Sequence, residues 1–269
     1  MILQPRAAEL LLIRQTDHAA LSGVLAEHWG NAEFAPLAPR DSMVRAAAHH
    51  DDGWRQWEAA PRVDPRARRP YQFTDLPLAE HAAFYLSGVD EVASQDAYAG
   101  LLVCLHLSGL YQRRFGIDPG IPVRTLSLEE GRARSEVIEQ LAARQQSLRN
   151  RLASSAEPVG LLEEGHVLAN YKLLQIFDRL SLYFCTSPPR PMTLRPAPAD
   201  YRGCDAELAL DPLGGQVVRV TPWPFDVASL PARVRASVVP DRPYHDDADF
   251  RAAFAAAPAT ELHFELRSP

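Results

Sequence analysis

The sequence predicts a mainly helical domain with a short strand at its start and a β-rich extension at its end. Three observations lead there. Apolar residues recur at three- and four-residue spacing through most of residues 16–185, the pattern of helices with a buried face. From Pro188 onward prolines multiply and short alternating runs replace that period. Between them, the stretch AAAHHDDGWRQWE (46–58) ends a small-residue helix in two histidines and two aspartates. The division that follows is a helical domain, residues 1–187, with a β-rich extension, 188–269, packed on it.

Taken in order, MILQPRAAELLLIRQ reads as a strand or hairpin, with Glu9 to Arg14 an edge strand. It reaches Asp17 without a small-residue cleavage site, so it does not read as a signal peptide. Thr16 and Asp17 are N-cap residues for a helix that runs to Gly30, a C-cap residue. His18, Leu21, Leu25 and either His28 or Trp29 share one face of it. Asp41-Ser42 caps a second helix, Met43 to His50. The segment PRVDPRARRPYQFTDLP follows as a long irregular loop holding Arg62, Arg66, Arg68 and Arg69, the densest basic cluster. It is either a solvated loop or a lid whose arginines meet an anionic substrate. Helices then span Leu78–Val92, with His81, and Gln95–Phe115, with His106 in an almost wholly apolar middle. Ser127-Leu-Glu-Glu130 is a capping box for a long helix to about Ala153. After Pro158 a helix runs to Cys185 and carries Asp178 among leucines. The runs GGQVVRVTPWPF, ARVRASVV and ELHFELR read as strands.

Composition narrows the function classes. The net charge is -6, from 34 acidic and 28 basic residues, so a global nucleic-acid footprint is absent. No apolar run approaches membrane-spanning length. The three cysteines, Cys104, Cys185 and Cys204, show no zinc-ribbon or disulfide spacing. A cytoplasmic protein acting on an anionic small molecule, with a homodimer left open and no nucleic-acid or membrane partner, is the expectation.

The chemistry concentrates in His18, His50-Asp51, His81, His106 and Asp178. Each has a plain structural reading: a cap for His81, a carbonyl-bonded core histidine at His106, an arginine pair for Asp178. Together they place many polar groups inside one apolar region, which favours a shared site. Imidazoles and carboxylates bind first-row transition metals, and a two-oxygen carboxylate such as Asp51 can bridge two ions. His49 adjoins His50 but fits the register with Asp51-Asp52-Gly53 less well. His245-Asp246-Asp247 repeats the dipeptide without a helical lead-in. His166 and Asn170 lie upstream of Asp178 as pocket-lining candidates.

The order His18, His50-Asp51-Asp52-Gly53, His81, His106, Phe177-Asp178-Arg179-Leu180 resembles the HD-domain metalloprotein superfamily over about residues 10 to 185. QTDHAALSG with HHDDGW also resembles a bacterial domain-of-unknown-function branch. The resemblance implies an HD-like helical bundle. It implies that His18, His50 and Asp178 bind a first ion, Asp51 bridges, and His81 and His106 bind a second, the ions being iron, manganese or similar. Two departures stand out. The lysine often found after the glycine is Trp54 here, leaving Arg55 or Lys172 as substitutes, and the His106 helix lacks an adjacent second histidine. The implied activity is phosphohydrolysis of a small phosphorylated metabolite or nucleotide. Asp51 and Asp52 are then the catalytic carboxylates and Arg55, Arg68, Arg69 and Lys172 the substrate contacts. A di-iron oxygenase of a small polar molecule and a non-catalytic metal- or ligand-binding protein are the rivals.

Overall fold

The computed structural model describes residues 1–117, 127–155 and 160–269; the helix start inferred at Pro158 lies outside them. The chain opens with an antiparallel hairpin, β1 (Ile2–Arg6) and β2 (Glu9–Ile13), followed by α1 (Gln15–Glu27), α2 (Arg40–His49) and α3 (Trp54–Ala59). A minimal hairpin, β3 (Val63–Asp64) with β4 (Arg69–Pro70), tightens the arginine loop. Then come α4 (Leu78–Gln95), α5 (Ala97–Tyr111), a short turn at Arg113–Gly116, α6 (Leu128–Ala153) and α7 (Glu164–Thr186). The remainder is β5 (Met192–Pro198), β6 (Asp205–Gly214), β7 (Val217–Thr221), β8 (Ser229–Pro240), α8 (Asp247–Ala255) and β9 (Ala259–Arg267).

This architecture corrects the mainly α, bundle-like expectation. One seven-stranded sheet, ordered β1-β2-β8-β9-β7-β6-β5, joins the N-terminal hairpin to the C-terminal strands. The class is α plus β. β2 is not an edge strand. It lies between β1 and β8, with Leu10 opposite Val239 and Leu12 opposite Ser237. Its apolar run LLLI is buried throughout, as a strand covered by neighbours and helices requires. Local periodicity cannot reveal a partner more than two hundred residues away.

β8 alternates in and out: Leu230, Ala232, Val234 and Ala236 are buried while Ser229, Pro231, Arg233 and Arg235 face solvent. One sheet face therefore meets the core. α1 packs on β8, α7 packs on β1 and β5, α2 packs against α1, α5 and α7, and α5 packs against α7. A single hydrophobic core runs from Met1 through Leu174 and Phe184 to Leu266. The capping box at Ser127 forms, with Glu130 N–H donating to Ser127 Oγ at 3.1 Å and Ser127 N–H to Glu130 Oε2 at 2.9 Å. Among the described residues no helix is long and apolar enough to cross a membrane.

Candidate metal centre

Four helices and one turn deliver the polar residues to one buried point. α1 begins at Gln15, one residue before the Thr16-Asp17 pair, and Arg14 offers no side-chain cap. The cap comes from α3 instead. Glu58, 2% exposed, accepts the Gln15 amide at 2.6 Å and the Thr16 hydroxyl at 3.4 Å, satisfying a helix-terminal donor and fixing the turn that carries His18. α2 ends at His49, and a turn whose end residues His50 and Gly53 have helical backbone leads into α3.

Gly53 is needed for space. Its φ is -55°, open to any residue. A Cβ there would come 2.5 Å from Phe84 O, and one on Gly88 would come 2.6 Å from Gly53 N. These two glycines let α4 lie directly against the His50–Gly53 segment, which brings Tyr85 to Asp51.

The geometry is compact. His18 Nε2 lies 2.8 Å from Asp51 Oδ2 and 3.9 Å from Asp178 Oδ1. His50 Nε2 lies 3.7 Å from each of the same two oxygens. Ligand atoms of His18, His50 and Asp51 all fall within 4.8 Å of one another. Donors bound to one ion at about 2.1 Å stand roughly 3.4 Å apart in a tetrahedral site, so these spacings suit a cation at their centre. His50 Nδ1–H donates to Ala47 O at 2.8 Å, which aims Nε2 inward. That Nε2 is buried and has no hydrogen-bond partner. His18 Nδ1 rests 2.6 Å from Ser181 Oγ, which Ser22 Oγ also approaches at 2.9 Å.

Electrostatics favour positive charge at this point. Burial works against a charged His50 imidazole, but Asp51 and Asp178 overcome it and raise its pKa to about 9. Burial likewise opposes ionisation of Asp51, yet His50 and His18 hold it down to about 2. Asp178 lies well below the usual carboxylate range: against burial, His50 and the Arg114 guanidinium keep it ionised. Burial depresses His81 to about 4 and His106 to about 3, so both rings are neutral near pH 7.

The sequence-predicted residues divide sharply. His18, His50, Asp51 and Asp178 converge. His106 stacks edge-on to His50 with centroids 4.9 Å apart, and its Nδ1 meets Gln175 Nε2 at 3.0 Å. His81 Nδ1 lies 2.7 Å from Tyr111 Oη, with its ring 4.6 Å from Tyr85. Asp52 is held by His49 at 2.9 Å and by Arg55 at 2.8 Å, and Arg55 also reaches Glu91 at 3.4 Å. Arg69 pairs with Asp241, and Arg68 Nε donates to Tyr244 O at 3.1 Å. Those two contacts tie the arginine loop to the chain beyond β8. Lys172 pairs with Asp205 at 2.5 Å. With Arg114, Gln175, Arg179, Arg195 and Pro196 it lines a small enclosed pocket.

Other candidates have structural partners. Asn170 bridges Ala38 O and Tyr98 Oη, and His166 stacks on Tyr201. The second HDD is a helix start, with Asp246 accepting the Asp249 amide to cap α8.

Four contributors escape the sequence reading. Tyr85, one turn beyond His81, donates its hydroxyl to Asp51 Oδ1. Gln175 and Ser181, three residues either side of Asp178, sit on the same face of α7, and that i±3 spacing was the available signal. Arg114, 5% exposed, reaches Asp178 Oδ2 at 3.2 Å and also donates to Gln175 Oε1. Its backbone is left-handed (φ 51°), as are Arg113 and Phe115, and this turns its side chain back into the core. Nothing in the local sequence announces that turn.

Over residues 1–241 the sequence matches the family described as protein of unknown function (DUF3891), and the chain belongs to that family. Neither the curated proteins nor the solved structures contain a match.

Proposed function

We propose that this member of the family is a metal-dependent hydrolase that holds one divalent transition-metal ion through His18, His50, Asp51 and Asp178 and acts on a small phosphorylated molecule. One observation carries the reading. A fully buried imidazole nitrogen, His50 Nε2, has no hydrogen-bond partner and faces two carboxylate oxygens at 3.7 Å. A buried polar atom left without a partner is costly, and a cation bound between these groups would satisfy all of them.

When bound, the ion supplies Lewis acidity, polarising a phosphoryl oxygen and strengthening water as a nucleophile near neutral pH. The chain's residues do the rest. Ala47 O orients His50, and Ser181 supports His18. As both donor and acceptor, the Ser181 hydroxyl can serve either tautomer of that ring. Arg114 neutralises part of the Asp178 charge through Nη2 and holds Gln175 through Nη1. We further propose that the protein works in the cytoplasm, where the free thiols of Cys104, Cys185 and Cys204 persist.

The test is metal analysis of protein purified without a metal-binding tag, followed by a phosphate-ester screen. About one equivalent of manganese, cobalt, nickel or zinc, with ester turnover lost in both Asp51→Ala and Asp178→Ala, supports the reading. Two equivalents of iron with dioxygen consumption, or no metal after reconstitution, overturns it.

A further inference from the structure

The hydrogen bonds around His106 set it apart from the histidines aimed at the cation. We infer that His106 is fixed with its proton on Nε2, as a hydrogen-bond donor to an oxygen of the oxyanion bound at the centre, and is not a ligand of a second ion. The inference rests on the metal-centre reading above and adds the role of a residue that the ligand pattern would otherwise claim.

Arg114 has only N–H donors, and it points Nη1 at Gln175 Oε1. This fixes the amide, because turning it over would set two donors face to face. With Oε1 engaged by Arg114, the Gln175 amino group faces His106 Nδ1 at 3.0 Å. A primary amide nitrogen donates and does not accept, so Nδ1 must offer its lone pair. A neutral imidazole then carries its proton on Nε2. Such a nitrogen cannot bind a metal, but it can donate to an anionic oxygen. His50 shows the opposite wiring. Its Nδ1 faces a backbone carbonyl, an obligatory acceptor, so Nδ1 keeps its proton and Nε2 is the nitrogen whose lone pair a cation would take.

A second contact agrees. A further ion at Asp51 would need the carboxylate oxygen turned away from His18, and that oxygen, Oδ1, already accepts the Tyr85 hydroxyl. Of the two groups that a second ion would recruit, the His106 nitrogen thus carries a proton and the Asp51 oxygen is shared with Tyr85. The relay Arg114–Gln175–His106 is buried at each member, the three being 5%, 5% and 2% exposed, so water does not offer the ring an alternative acceptor.

Long-range proton–nitrogen spectra of protein carrying 15N-histidine distinguish the two neutral tautomers, with His106→Ala assigning the ring. The expected result is the Nε2–H form of His106 in both metal-free and zinc-loaded protein. In Gln175→Glu, where the partner can only accept, the ring should switch to Nδ1–H. Equilibrium dialysis should give one zinc per chain in wild type and in His106→Ala alike. Zinc-loaded His106→Ala should bind inorganic phosphate roughly tenfold more weakly than wild type, the loss of one hydrogen bond to a charged group. An Nδ1–H tautomer in the wild-type protein, a fall from two zinc ions to one in His106→Ala, or unchanged phosphate affinity would each overturn the inference. No zinc binding by the wild type would overturn the metal reading itself, and the role given to His106 with it, even with the tautomer as expected.

Discussion

Replacing Arg114 by methionine removes the one permanent cation, among the described residues, that pairs with Asp178. Both side chains are almost fully buried, 6% and 5% exposed, with Nη2 3.2 Å from Oδ2. Deleting one partner of such a pair leaves an uncompensated charge and costs about 3–5 kcal/mol. The upper end of that range applies in metal-free protein, because Gln175 Oε1 loses its donor as well. For a domain of this size each kcal/mol lowers Tm by roughly 2–4 °C, so the expected fall is about 6–20 °C by calorimetry without metal. Arg114→Lys should recover little, since a single ammonium cannot serve Asp178 and Gln175 together. Arg114→Met with Asp178→Leu should be more stable than Arg114→Met alone, because no buried charge is stranded. Added zinc should shrink the penalty of the single variant by placing positive charge beside Asp178. A metal-free Arg114→Met protein within about 1 kcal/mol of wild type in urea melts would refute the reasoning.

Three further outcomes are expected. Asp51→Asn keeps the shape but loses the charge that raises His50, so metal content after dialysis should drop to background; retained stoichiometric metal would count against the assigned ligands. The metal-free protein should be most stable near pH 6.5, and urea titrations across pH measure this. His50, raised to about 9, stabilises fully below its unfolded pKa near 6.5 and loses that contribution as pH climbs toward 9. His81 and His106, depressed to about 4 and about 3, favour folding above 6.5 and disfavour it progressively below, by up to roughly 2.7 kcal/mol per pH unit for two protons. Bound zinc, which needs neutral His50, should erase the alkaline limb; an alkaline limb unchanged by zinc contradicts that account. Gly88→Ala forces its Cβ into the Gly53 backbone and should cost about 1–3 kcal/mol by overpacking. Weakened metal retention should accompany that loss, read by calorimetry and metal analysis on one sample.

The helices were legible from their apolar period, and the residues at the centre from their type: a histidine in the first turn of α1, a His-Asp pair at the end of α2, an aspartate among leucines in α7. Their neighbours were less so. Tyr85 and Gln175 look like ordinary helix residues until α4 and α7 face the centre, and Arg114 enters by a left-handed turn that no propensity encodes. β5 and β6 hid behind their prolines, Pro196 and Pro212. The sheet as a whole was hidden because strand pairing is a relation between distant segments.

The pairing of β2 with β8 also sets a timetable. The last of the converging residues, Asp178, leaves the ribosome well before the strand that must lie beside β2 exists, since that strand runs from Ser229 to Pro240. Until then Leu10, Leu11 and Leu12 form an open apolar edge directly ahead of the helix bearing His18. Such an edge invites pairing with other chains, so a nascent chain halted between β5 and β8 should be the species most prone to aggregate and most dependent on chaperones. Completion of the centre waits on residues that contribute no atom to it.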